Sequence, residues 1–175
     1  MKRHAALVIT LAVTMAGCGD LFSLHALFTA RDQVFDPALE GSWENDDTRL
    51  VVEHVVEHVG DLYRVITKDK RDPSDVVKYE VHLGVVNGVR FADLRQSDTI
   101  GHMFARVRTG DGELRLAFLD TKWLRDQVPH EDADVDDGKP LAVLTISTER
   151  LRQLVGRFAS EPRAFDTEIV FHRPR

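Results

Sequence analysis

The 175-residue chain has one cysteine, so it can build neither an intrachain disulfide framework nor a cysteine-cluster zinc site. It has no basic excess. Its 23 Lys and Arg stand against 29 Asp and Glu, a formal net charge of −6, which excludes a general nucleic-acid binder with its basic surface. It lacks the βαβ rhythm of a doubly wound fold, a Gly-x-Ser-x-Gly elbow and a Gly-rich phosphate loop. No two carboxylates stand in a recognisable glycosidase pattern, so the sequence points to no enzyme and implies no cofactor. What remains is an ordinary globular composition, 43% hydrophobic and 30% charged, in a length that suits one domain.

The N-terminus departs from that average. Residues 1–17 hold Lys2 and Arg3 and no acidic residue, followed by an apolar stretch from Ala5 to Gly17 broken only by Thr10 and Thr14. Thirteen residues fall short of the roughly 20 that a bilayer-spanning helix needs, and the charged start before a short apolar run has the pattern of a secretory signal. The segment ends Thr14-Met15-Ala16-Gly17-Cys18.

Small residues directly before the single Cys resemble the lipobox of bacterial lipoproteins, with Met15 where that family usually has Leu. The resemblance implies cleavage before Cys18, acylation of its sulfur and often of the new amino group. A lone cysteine without a disulfide partner in an oxidising compartment fits that role. In the family's sorting rule an Asp directly after the Cys retains the protein in the inner membrane. Here Asp20 stands one place later, which favours the outer membrane. Cleavage would leave 158 residues with 21 basic and 29 acidic side chains, a net charge of −8. The partition is then a signal peptide over 1–17, a lipidated tether over 18–35 and one domain over 36–175.

Within that domain short apolar–polar alternations predict strands, with turn residues between them. Asp36-Pro37-Ala38-Leu39 has the cap and N1 proline of a short helical turn, and Gly41-Ser42-Trp43 opens the first strand. Strands follow over Leu50–Val56, Leu62–Lys68 and Val77–Val86. Asn87-Gly88 is a type I′ hairpin signal into Val89–Leu94. Further strands lie over Met103–Arg108, Glu113–Leu119, Leu141–Ile146 and Thr167–Phe171. Asp120 caps a short helix over Thr121–Val128, and residues 129–140 read as an acidic loop. Leu151, Leu154, Val155 and Phe158 fall at helical spacing behind Ser147 or Thr148, an amphipathic helix before the last strand. The sum is a mainly β fold, an antiparallel barrel of about eight or nine strands, because closure removes exposed edges.

Gly41-Ser42-Trp43 behind a helical turn resembles the start of lipocalin-like barrels. In that family the Trp closes one end of the barrel and an Arg near the last strand packs over it, roles that Trp43 and Arg173 would fill. The domain also resembles small uncharacterised proteobacterial lipoproteins through Tyr63-Arg64-Val65 and Leu116-Ala117-Phe118-Leu119-Asp120 with Trp123-Leu124, a likeness that brings no activity with it.

Two constellations read as structural. His54 and His58 on a strand would stand about 13 Å apart, too far to share an ion, and the valines around them favour a strand. The acidic run Glu131–Gly138 has Asp137 where a calcium loop needs its glycine, so it reads as a solvated surface loop. The partners implied are a membrane, through the lipid anchor, and a small apolar ligand or an envelope protein, with no nucleic acid and no metal.

Overall fold

A computed structural model describes residues 21–56, 60–120, 123–124, 127, 133–135, 142–165 and 168–175. Its strands are β1 (Leu21–Ser23), β2 (Gly41–Glu44), β3 (Thr48–Val56), β4 (Asp61–Asp69), β5 (Val76–Val86), β6 (Val89–Gln96), β7 (His102–Gly110), β8 (Glu113–Phe118), β9 (Ala133–Val135), β10 (Ala142–Leu144) and β11 (Glu168–His172). Helix α1 (Thr148–Phe158) precedes β11. β2 through β8 pair antiparallel in sequence order, β11 follows β8, and the single pair His172–Glu44 joins β11 back to β2. The result is a closed eight-stranded antiparallel barrel.

Alternation along each strand decides the two sides of the wall. Trp43, Leu50, Val52, Tyr63, Val81, Leu83, Ala105, Val107, Leu114 and Phe171 fill the interior. Asn87 and Gly88 turn at φ 49° and 79°, the left-handed pair a type I′ hairpin requires, which holds Val86 opposite Val89. α1 begins where Ser147 Oγ accepts from Arg150 N, and it buries Leu151, Leu154, Val155 and Phe158. That stripe lies outside the barrel in a second core with Phe91 and Phe104. β6 is therefore buried on both faces, with Phe91 and Asp93 under the helix layer and Ala92 and Leu94 inside.

Three expectations need correction. Leu141–Ile146 does supply a strand, β10, but it lies outside the barrel, parallel to β1 and antiparallel to β9. β9 itself interrupts the expected acidic loop, since backbone pairing with β10 is indifferent to the charge of Asp134. Residues 21–35, expected as a leader that docks only in part, are packed on the barrel wall. β1 joins β7 and β10, then Leu27 and Phe28 are buried on the outer wall and Gln33 bridges to Gly84. Leu21, Leu24, Leu27 and Phe28 stand at helical spacing in the sequence, but pairing with distant strands wins over that local periodicity. Of the short helix expected at 121–128, Asp120 Oδ1 accepts from Trp123 N at 2.6 Å and the remainder lies largely outside the described residues.

Candidate functional site

The barrel has two unlike ends. At the first, a short 3-10 turn, Pro37–Leu39, covers the opening, with Asp36 Oδ1 accepting from Ala38 N at 2.9 Å. Trp43, buried, seats its indole beneath the turn and donates from Nε1 to Leu39 O at 2.8 Å. Arg173, just past β11, lays its guanidinium over the indole with Cζ 3.6 Å from the ring centroid. Its Nη1 donates to Glu40 O at 2.7 Å and its Nη2 to Ala38 O at 3.0 Å. Gly41 completes the arrangement: its φ is +102°, and a Cβ there would sit 2.7 Å from Arg173 Nη1. The structure thus brings Trp43 and Arg173 into contact as one clamp that ties the first and last barrel strands.

The same end carries a polar plug. Tyr63 Oη accepts from Asp36 N at 2.6 Å and donates to Asp36 O at 3.2 Å, and burial pushes its phenol pKa up. His54 Nε2 lies 2.9 Å from Asp61 Oδ1, and its ring lies against Phe35 with centroids 4.1 Å apart and a 30° tilt. His58 falls outside the described residues, so the pair read from sequence is seen only at His54. Cys18 also lies outside them, as does most of the acidic run 131–138, apart from β9. Among the described residues no three His, Cys, Asp or Glu side chains gather as a metal centre would.

At the opposite end the interior lining changes from buried to half-buried. Val65 faces Tyr79 across β4 and β5, and Leu116 faces Ile169 across β8 and β11, all packed on the interior core and all partly exposed. Thr67, Val77, Gln96 and Met103 continue this lining. Burial pushes the Tyr79 phenol pKa up, with the Asp75 charge adding to it. The charged groups around the rim pair with each other: Glu44 with Arg49 and Lys70, Asp47 with Arg71, Glu80 with Arg95. Arg49 before Lys70 holds the Glu44 carboxyl below the usual carboxylate range. Such a mouth offers apolar contact with a few polar groups at its edge, the general character of a small-molecule site.

A buried carboxylate lies in the outer wall. Asp93, 1% exposed, accepts from Leu27 N at Oδ2 and meets His102 Nδ1 at Oδ1, both at 2.7 Å. Ser23 pairs with His102 in the sheet, so Ser, His and Asp stand together, but the Ser23 hydroxyl donates to His25 O and accepts from His25 N. The hydroxyl is held by backbone, and the group works as a pin for the N-terminal strap. Its sequence signal was a lone acid inside the apolar run Phe91-Ala92-Asp93-Leu94. The open mouth had no comparable signal, because alternation marks which residues face inward but not which end is covered.

Comparison with known proteins returns no matching family model, no matching curated protein and no matching solved structure.

Proposed function

We propose that the protein is a lipid-anchored lipoprotein of the bacterial envelope, acylated at Cys18, whose lipocalin-like barrel is a non-catalytic module for a small apolar ligand. The observation that carries the reading is the asymmetry of the barrel: clamped by Trp43 and Arg173 at one end, apolar and half-open at the other. An eight-stranded barrel is wide enough for one small ligand, and an apolar mouth favours a hydrocarbon-bearing one. The lipobox and the placement of Asp20 support anchoring on the outer membrane, with the barrel in the periplasm. Native mass spectrometry of the detergent-extracted full chain should show a co-purified lipid-sized mass, and dodecanoic acid should displace a fluorescent fatty acid. Leu116→Lys should weaken that binding by about tenfold or more, since a charge in an apolar lining costs well over the roughly 1.4 kcal/mol that tenfold represents. No adduct and no fatty-acid binding would refute the proposal.

A second reading is an interaction protein of the envelope, an assembly factor or an inhibitor. It is favoured by Val56 and Phe35, exposed apolar residues at the clamped end. Photocrosslinking in cells from position 56 that captured no envelope protein would sink it.

A further inference from the structure

We propose that Arg106 and Arg108, on the outer wall of the barrel, form a binding site for a phosphate group. Alternation along β7 puts Phe104, Arg106 and Arg108 outside and Ala105 and Val107 inside. Arg106 stands opposite Phe91 on β6 and Ala117 on β8, both buried. Its guanidinium lies over the Phe165 ring, with Cζ 4.9 Å from the centroid. The ring attracts the charge but offers no acceptor to an N–H. Among the described residues Arg106 has no ion pair, and its Nε is the one side-chain nitrogen or oxygen that is buried without a hydrogen-bond partner. Its two terminal nitrogens also lack a partner but are not buried, so the fork is open to a ligand. A buried donor left unpaired costs folding free energy. Burial first, and the Arg108 charge second, hold the Arg106 guanidinium pKa below its usual range, with Glu168 acting against them. An anion accepting from the fork would offset all of these costs.

Arg108 suits the site to phosphate rather than to a carboxylate. It follows Arg106 by two residues on the same face, about 7 Å away at about 3.4 Å per residue. The two oxygens of a carboxylate match one guanidinium, whereas a phosphate carries three acceptor oxygens that two guanidiniums can share. Arg108 is mostly exposed and gives one nitrogen to Glu168. Glu168 also serves Arg115 at 2.8 Å, and Arg115 in turn holds Glu113. Arg106, Arg108 and Arg115 thus share this stretch of wall with Glu113 and Glu168, a local positive excess on a chain whose formal charge is −6. Asp166 and Thr167, which follow Phe165, lie outside the described residues.

The arginine Nε–Hε resonances of the isotope-labelled full chain in detergent report the site as inorganic phosphate replaces chloride at constant ionic strength. Saturable shifts at Arg106 and Arg108, and none at the exposed Arg31, are the expected result. Arg106→Gln should raise the midpoint read at Arg108 about tenfold or more, the worth of one charge-assisted hydrogen bond. Arg106→Lys keeps the charge but loses the fork and should fall between the two. A shift with phosphatidic acid in the micelle but none with inorganic phosphate makes the source a lipid headgroup, whereas a shift with inorganic phosphate makes a soluble phosphate sufficient. No saturable shift with either, or an equal drift at Arg31, overturns the site. So does an Asp166→Asn exchange that moves the Arg106 resonance in phosphate-free buffer, since the partner is then a carboxylate of the chain itself.

Discussion

Replacing Arg173 by Ala should remove the strap that joins the last strand to the turn over the barrel. The guanidinium sits 3.6 Å from the Trp43 ring and donates to Glu40 O and Ala38 O. A cation over an indole contributes about 0.5–1 kcal/mol at an exposed site, and each charge-assisted hydrogen bond about 1 kcal/mol here, discounted because water reaches Arg173. The sum is about 2.5–3 kcal/mol, or a fall in Tm of roughly 5–12 °C for a chain of this size. Arg173→Lys keeps the charge but not the fork and should lose about half of that. The assay is urea unfolding followed by far-UV circular dichroism, run as a double-mutant cycle with Gly41→Ala. On the native background the new Cβ strikes Nη1 at 2.7 Å, whereas with Ala at 173 only the backbone strain at φ +102° remains. The two substitutions together should therefore cost less than the sum of each alone. An Arg173→Ala variant within about 0.5 kcal/mol of the native chain, the range of ordinary surface changes, would refute the clamp.

Other consequences follow from single contacts. Asp93→Ala leaves Leu27 N and His102 without their partner and should cost about 2–4 kcal/mol, with hydrogen-exchange protection lost first at the Leu27 amide. Protection of Leu27 that survived would show that Asp93 does not hold the strap. Gly84→Ala would place a Cβ 2.4 Å from the buried Phe28 ring and should cost about 2 kcal/mol, while Gly110→Ala, with open space around it, should stay within about 0.5 kcal/mol. Equal effects at the two positions would rule out the close approach. The Glu168 carboxyl is held below its usual range by Arg108 first and Arg115 second. A depressed carboxylate stabilises the fold above its unfolded pKa of about 4.3 and loses that contribution as pH falls through the folded value. Glu168→Gln should therefore flatten the acid side of the stability curve, by under about 1 kcal/mol because both arginines are substantially solvated. An unchanged slope below pH 5 would contradict the pairing.

Much of the fold was legible because its signals are local. Period-two alternation over Val77–Val86, the Asn87-Gly88 turn and the spacing of Leu151, Leu154, Val155 and Phe158 each depend on neighbours within a few residues, and they appear as β5, its hairpin and α1. The Asp36-Pro37 turn before Gly41 was readable for the same reason. β1, β9 and the place of β10 were not, because each depends on a partner far along the chain: Leu21 on Ala142, Ser23 on His102. Nor could spacing announce that Asp93 would pin a strap 66 residues away.

By itself the sequence determined the strand and helix pattern, the antiparallel barrel class and the signal-like start ending at Cys18, since hydrophobic periodicity and turn chemistry act over a few residues. Only the tertiary structure decided which eight strands close the ring and which three, among the described residues, lie outside it, and that residues 21–35 are part of the folded body. It alone decided that one end is shut under Arg173 while the other leaves Val65, Tyr79, Leu116 and Ile169 half-open. Those outcomes rest on register and closure, and the free energy of a long-range contact depends on where every intervening element has already gone.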